Sequence, residues 1–368
     1  GRGRAEEPRA SRGGRPLSGS RGAAAGRPRQ GSVPRTWSQF AAALLGLGLA
    51  LGCVSAEVES EGRSSRAALE RQLRRADDAF NGRSFRQALD MYSALYMAAL
   101  SGGYDDLAAE GAAQASTINA LKDAEEESDR WMSFAERYAE GEGAGPRSRV
   151  MLARGIRQWK LGDSSAALGT FEALVRLSKE TGLDVRAMQG ASLGALVAEG
   201  EAQLDWNLKA IDICQGLEQP RWEGALWTNH GWLLEARGDF EDASRCFERA
   251  RQLLAEGAAS PMDLLQADWA LGRALRLAGR PSEARALLEQ ADVRGRELYA
   301  ANPTARQAEW LGRAWWELAE LELAEGRDEN ALALLQSARR KLLEAGVADA
   351  APLLLGRLDA RLIELGPR

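Results

Sequence analysis

Residues 224–250 read GALWTNHGWLLEARGDFEDASRCFERA, and the same frame of small and large apolar residues returns along the chain. Its markers are Trp227, Gly231, Leu234, Gly238, Phe240, Ala243, Phe247 and Ala250. Each has a mechanical reason. Gly231 and Ala243 sit where two helices cross, and only small side chains let the backbones approach. Gly238 lies in the tight turn between them, and Trp227 and Phe247 fill the hollows on either side. Residues 268–291 repeat the frame with Leu271, Gly272, Gly279, Ala284, Leu288 and Ala291. Residues 315–338 repeat it with Trp315, Leu318, Ala319, Gly326, Ala331, Leu335 and Ala338. Upstream, residues 151–174 supply Gly155, Gly162, Ala167, Phe171 and Leu174. A weaker unit surrounds Ala76, Ala88 and Tyr92, and two degenerate units are placed on Ala124 and Ala202. Self-similarity at this pitch predicts stacked helical hairpins, a core that grows along one axis instead of outward.

These markers resemble the tetratricopeptide repeat (TPR), whose pattern is W-x2-L-G-x2-Y, then Gly, then A-x3-F-x2-A. In the 224–250 unit His230 replaces the Leu before the first Gly, and Leu234 replaces the Tyr. The resemblance implies an all-α fold: a right-handed α-solenoid of about seven helix pairs over residues 67–368, closed by a capping helix at Ala348–Leu365. The key alanines are spaced more widely than the 34 residues of a standard repeat, so longer helices or loops are expected. Pro261, Pro281 and Pro303 are expected at helix starts or in loops, where proline is tolerated. Arg357, Asp359, Arg361 and Glu364 give the last helix a polar side suited to a solvating cap.

Composition agrees with a helical class: Ala, Leu, Arg and Glu dominate, and no stretch alternates with the period of a strand. Of the net charge of −5, residues 1–36 hold nine Arg and two Glu, so the rest of the chain carries −12. An acidic body is a poor binder of phosphate backbones, and a nucleic-acid partner is not expected. Cys53, Cys214 and Cys246 show no zinc or CxxC spacing. Cys214 and Cys246 read as core thiols inside helices. The single His, His230, leaves no metal set or Ser-His-Asp constellation to build. No HExxH or phosphate-binding GxxxxGK[ST] is found, and Glu125-Glu126-Glu127 reads as a solvated helix face. No cofactor, metal or small-molecule substrate is expected, and the chain is read as a non-enzyme.

Residues 1–35 read as a disordered basic tail of Gly, Pro, Arg and Ser. Residues 36–56, TWSQFAAALLGLGLALGCVSA, carry no charge, and their apolar core suits a signal-peptide h-region better than a membrane span of about 20 residues. Leu49-Ala-Leu-Gly-Cys53 resembles the lipobox of bacterial lipoproteins, in which the cysteine receives the lipid; Ala50 stands where that family prefers Leu. Cleavage after Ala56 and an uncleaved anchor are the alternatives. Residues 57–66 read as a polar tether. The place of work expected from this segment is the cell envelope, lipid-anchored at the membrane or in the periplasm, with a secreted or cytoplasmic protein as the alternative.

In TPR proteins one helix of each pair lines the concave face, and matching those positions onto this chain selects Trp159, Trp232, Trp269, Arg273, Arg276 and Trp316. Trp and Arg dominate binding hot spots. The resemblance therefore implies protein or peptide partners in the groove, with Arg273 and Arg276 meeting a carboxylate. The same tryptophans could instead pack between helices and support the stack. The Lys and Asn set of repeats that clamp chaperone C-termini is not found, and the chain has five Lys. The function expected is a non-catalytic scaffold of the bacterial envelope, with a cytosolic TPR regulatory or sensor module as the alternative.

Overall fold

A computed structural model describes residues 65–257 and 259–366. The basic tail, the lipobox with Cys53 and most of the tether lie outside them. The described residues belong to one packing unit. They form seven successive antiparallel pairs, here called helix A and helix B of each pair. The pairs are α1 (Arg66–Asn81) with α2 (Phe85–Gly102), α3 (Asp105–Leu121) with α4 (Glu125–Ala139), and α5 (Ala144–Lys160) with α6 (Ser164–Glu180). The fourth and fifth are α7 (Asp184–Val197) with α8 (Glu201–Gln215) and α9 (Pro220–Arg237) with α10 (Phe240–Glu256). The last two are α11 (Pro261–Leu277) with α12 (Pro281–Ala301) and α13 (Ala305–Ala324) with α14 (Asp328–Glu344). A one-turn helix α15 (Val347–Ala350) and then α16 (Pro352–Glu364) follow. Most helices pack mainly on their neighbours in sequence, as expected of a solenoid, while α5 also packs broadly on α3.

Local chemistry starts and stops the helices. Pro220, Pro261, Pro281 and Pro352 occupy first-turn positions, where the missing N–H is harmless. Ser260 and Asp263 form a reciprocal capping box at the start of α11. Asp163 accepts from the Ala166 N–H at 2.9 Å. The turns within the pairs are made by Gly162, Gly238, Gly279 and Gly326, all at positive φ between 73° and 86°.

Those turns correct the register of the two degenerate units. Arg83 and Asp123 take the same left-handed conformation, at φ 61° and 59°. Counting on from Asp123 places the crossing residue of the second pair at Ser128, not at Ala124, which is only the N-cap of α4. Ser128 is buried, and its hydroxyl donates to the Ser116 carbonyl at 3.0 Å while Ser116 returns a bond of 2.8 Å. A reciprocal serine pair therefore replaces the Gly–Ala crossing. In the fourth pair Ala202 is exposed in the first turn of α8, and Trp206 packs directly over Gly194.

The complete repeats behave as their markers require. Ala76, Ala88, Ala167, Ala243, Ala284 and Ala331 have no exposed surface. Phe247 lies over Gly231 so closely that a Cβ there would stand 2.7 Å from its ring, and Leu288 covers Gly272 in the same way. Gly155 faces Phe171. Trp315 is buried, with its Nε1 donating to Asp292 at 2.6 Å and Arg296 over its ring. Trp227 is partly buried and donates to Glu223 at 3.1 Å. Cys214 and Cys246 are buried free thiols, as expected. The charged side of α16 turns partly inward: Asp359 accepts from Arg339 on α14, and Arg361 reaches Glu320 on α13.

Candidate binding face

Several A helices place polar residues toward a neighbouring A helix, and these side chains assemble into two networks. The first spans α9, α11, α13 and α16. Arg273 and Arg276 lie one turn apart on α11 and so share a face; Glu317 and Glu320 do the same on α13. Arg273 Nη1 donates to Glu317 Oε1 at 2.5 Å, and Arg276 Nε donates to Glu317 Oε2 at 2.8 Å. Arg273 Nε also reaches Glu235 on α9 at 3.0 Å. Arg361 of α16 grips both oxygens of Glu320, which also accepts from Trp316 Nε1 at 3.1 Å.

Burial sets the electrostatics here. It would raise the Glu317 carboxyl, yet Arg273 and Arg276 outweigh it and hold the group below the usual carboxylate range. Glu235 has one arginine instead of two, and burial wins: its pKa is raised, and its Oε2 is buried with no hydrogen-bond partner.

The arginines predicted to meet a partner's carboxylate thus already hold the chain's own. The tryptophans are divided. Trp269 is buried in the core between A helices, 5.7 Å from Trp232 and 5.1 Å from Trp310 by ring centroids. Trp232 also packs edge-on against Phe247 at 4.7 Å. Arg313 stands over both Trp269 and Trp310. Trp159, Trp232 and Trp316 are only half-buried. Trp159 lies in a separate cluster with Leu152 and Phe171, so the six selected positions do not form one contiguous site. Glu317, Trp310 and Arg313 were not selected from the sequence; their signal is the opposite charge or aromatic one repeat away from a selected residue.

The second network lies on α1, α2, α3 and α5, beside a cavity of about 360 Å³. Arg149 on α5 is buried and donates to Asp77 on α1 at 3.2 Å and to Glu110 on α3 at 3.1 Å. Asp77 also accepts from the Tyr92 hydroxyl at 2.5 Å, and Gln114 donates to that hydroxyl at 3.1 Å. Burial lowers Arg149, but Asp77 and Glu110 raise it further, so it is a fixed cation. Burial raises the Tyr92 phenol, with Asp77 adding to it, so it stays protonated. Of these residues sequence reasoning named Tyr92 alone, as a repeat marker. Glu110 and Gln114 lie in the degenerate second pair, where α3 is so rich in Ala, Gly and Ser that repeat markers are scarce. That same composition lets α5 pack directly on α3, and Leu107–Ala109 and Gly111–Ala120 are buried.

No protein-family profile matches the chain, and no curated protein matches it in sequence. Solved structures do match. A signal transduction ATPase with numerous domains, carrying a tetratricopeptide repeat sensor, from Pyrococcus horikoshii superposes with a TM-score of 0.60 at 11% identity. The match covers 80% of this chain and 44% of that one, so the chain spans less than half of that protein. The fold is the TPR-like α-solenoid. A tetratricopeptide repeat protein from Parabacteroides merdae also matches, with a TM-score of 0.44 and 14% identity over 81% of this chain and 99% of that one. Yeast Tom70 matches with a TM-score of 0.40 and 13% identity, over 89% of this chain and 72% of that one.

Proposed function

We propose that the chain is a non-catalytic scaffold that binds proteins or peptides on the face built by its A helices. The observation that carries this reading is the half-buried state of Trp159, Trp232 and Trp316 on A helices. Each presents uncovered indole surface on a rigid element, the kind of anchor that dominates protein interfaces. Chemistry is disfavoured by the state of the reactive groups. Burial pushes the Cys214 thiol up to about 12 and the Cys246 thiol up to about 11. Asp77, Glu110 and Glu317 are each held by an arginine.

The scaffold is proposed to work at a bacterial envelope, tethered by lipid on Cys53. The lipobox-like sequence supports this, and a diacylglyceryl group would hold firmly, since each buried methylene contributes about 0.8 kcal/mol. Among the described residues no helix is long and apolar enough to cross a membrane. Fractionation of cells expressing wild type and Cys53→Ala tests the tether: the variant should leave the membrane fraction. An unchanged distribution would favour the cytosolic module instead. Pull-down from detergent-solubilised envelope tests the face. Trp159→Ser should lose partners that wild type retains while melting as one folded species; retention of the same partners removes Trp159 from the interface.

A further inference from the structure

Two guanidiniums line the cavity on the first four A helices, Arg74 and Arg186, and among the described residues neither has a carboxylate within ion-pair distance. Arg186 Nη1 donates to Gln189 Oε1 at 3.0 Å. Asn81 Nδ2, on the same wall, is buried without an acceptor. Unsatisfied buried donors are costly and call for an explanation. Here the Asn81 amide and the half-buried Arg186 line one space, with the exposed Arg74 at its rim. The rest of the wall is apolar, from Phe80, Leu152, Ile156, Leu193 and Leu217.

Charge narrows the ligand further. Asp77, itself on the cavity wall, and Glu110 saturate Arg149, and Asp184 stands at the wall too. A doubly charged anion would meet these fixed carboxylates. A single negative charge would be shared by Arg186, Arg74 and the Asn81 amide. Burial together with the nearby Arg149 pushes Arg186 down to about 10 against the opposing pull of Glu110 and Asp77, so it remains a cation at neutral pH. The volume lies near the lower end of small-molecule pockets, about 300–1,000 Å³.

We propose that this cavity binds a small free monocarboxylic acid with an apolar stem, its carboxylate on Arg186 and Asn81 and its stem against Phe80, Ile156 and Leu193. The ligand is bound, not turned over. Trp159 packs against Leu152, Ile156 and Leu193 of the cavity wall without lining the cavity itself, so ligand titration and partner pull-down read the two proposals separately.

The test is calorimetric titration of the full chain with 3-phenylpropanoate and 4-methylpentanoate, their primary amides, phenyl phosphate, and a pentapeptide ending in Leu with a free or amidated C-terminus. At least one acid should bind with a Kd of roughly 10 μM to 1 mM, the range open to ligands of this size. The matching amide and the phosphate should bind at least about tenfold more weakly, the loss of one charge-assisted contact. Arg186→Gln should weaken the acid by a similar factor with its melting temperature unchanged or raised, because an unmatched charge is removed. Asn81→Asp, which adds a negative charge beside the site, should abolish binding. The proposal is overturned if neither acid binds, if acid and amide bind alike, or if Arg186→Gln binds as wild type. It is equally overturned if only the peptide with a free C-terminus binds, which would assign the cavity to a protein chain end.

Discussion

Arg273 Nη1 donates to Glu317 Oε1 at 2.5 Å, joining the A helices of two neighbouring repeats across 44 residues of sequence. Glu317 is buried, and its second oxygen is held by Arg276. Removing one side of such a pair leaves an uncompensated charge, at a cost of about 3–5 kcal/mol. Arg273→Glu combined with Arg276→Glu would place four acidic groups together, with Glu235 and Glu317, and should unfold the last three repeats well below the wild-type melting temperature. Glu317→Gln should cost less, because its amide oxygen can still accept from one arginine. Thermal unfolding followed by circular dichroism separates these cases, and equal melting temperatures for all three proteins would contradict the network.

Gly231 should tolerate no side chain while Phe247 is present. A Cβ there would stand 2.7 Å from the Phe247 ring, and overpacking of this kind costs about 1–3 kcal/mol. Gly231→Ala should therefore destabilise the chain. In Phe247→Leu, which shortens the opposing side chain, the same change should cost less, giving a non-additive double-mutant cycle. Additive effects in denaturant titrations would show that the two helices do not meet there. Ala243→Leu, at the same crossing, should cost a similar amount.

His230 occupies the place of a leucine in the repeat pattern and is buried, with Nδ1 lacking a partner. Burial lowers its pKa from the ordinary 6.5. The unfolded chain therefore binds the proton more readily than the folded one. Stability is intact above about pH 6.5 and falls as the pH drops below it, with a slope of at most about 1.4 kcal/mol per pH unit for one proton. His230→Leu should remove that component between pH 7 and 5. Parallel stability curves for the two proteins over this range would exclude it.

Cys214 and Cys246 should resist alkylation in the folded state, since burial holds both thiols far above neutrality. In a Cys53→Ala background, iodoacetamide at pH 8 should label neither until denaturant is added. Rapid labelling of either under native conditions would mean that α8 or α10 opens locally.

The helix pairs were legible wherever their determinants were local. Gly155, Gly231 and Gly272 announce the crossings, Gly162, Gly238, Gly279 and Gly326 the turns, and Pro261 and Pro281 the helix starts. All of these follow from backbone sterics within about twenty residues. The second and fourth pairs were misregistered because Asp123 makes a turn that glycine makes elsewhere, and because a serine pair and a Gly–Trp contact replace the usual crossings.

The helical class, the repeat and the complete crossings follow from local pattern, because small residues at helical spacing have few other uses. What the charged residues do depends on how the repeats pack. Arg273 looked available for a partner until Glu317 met it from the next A helix, and Arg186 looked ordinary until it was placed beside Arg149 with no acid of its own. Pairing across stacked repeats depends on how one A helix lies against the next. That relation links residues about forty positions apart, beyond the reach of any local pattern.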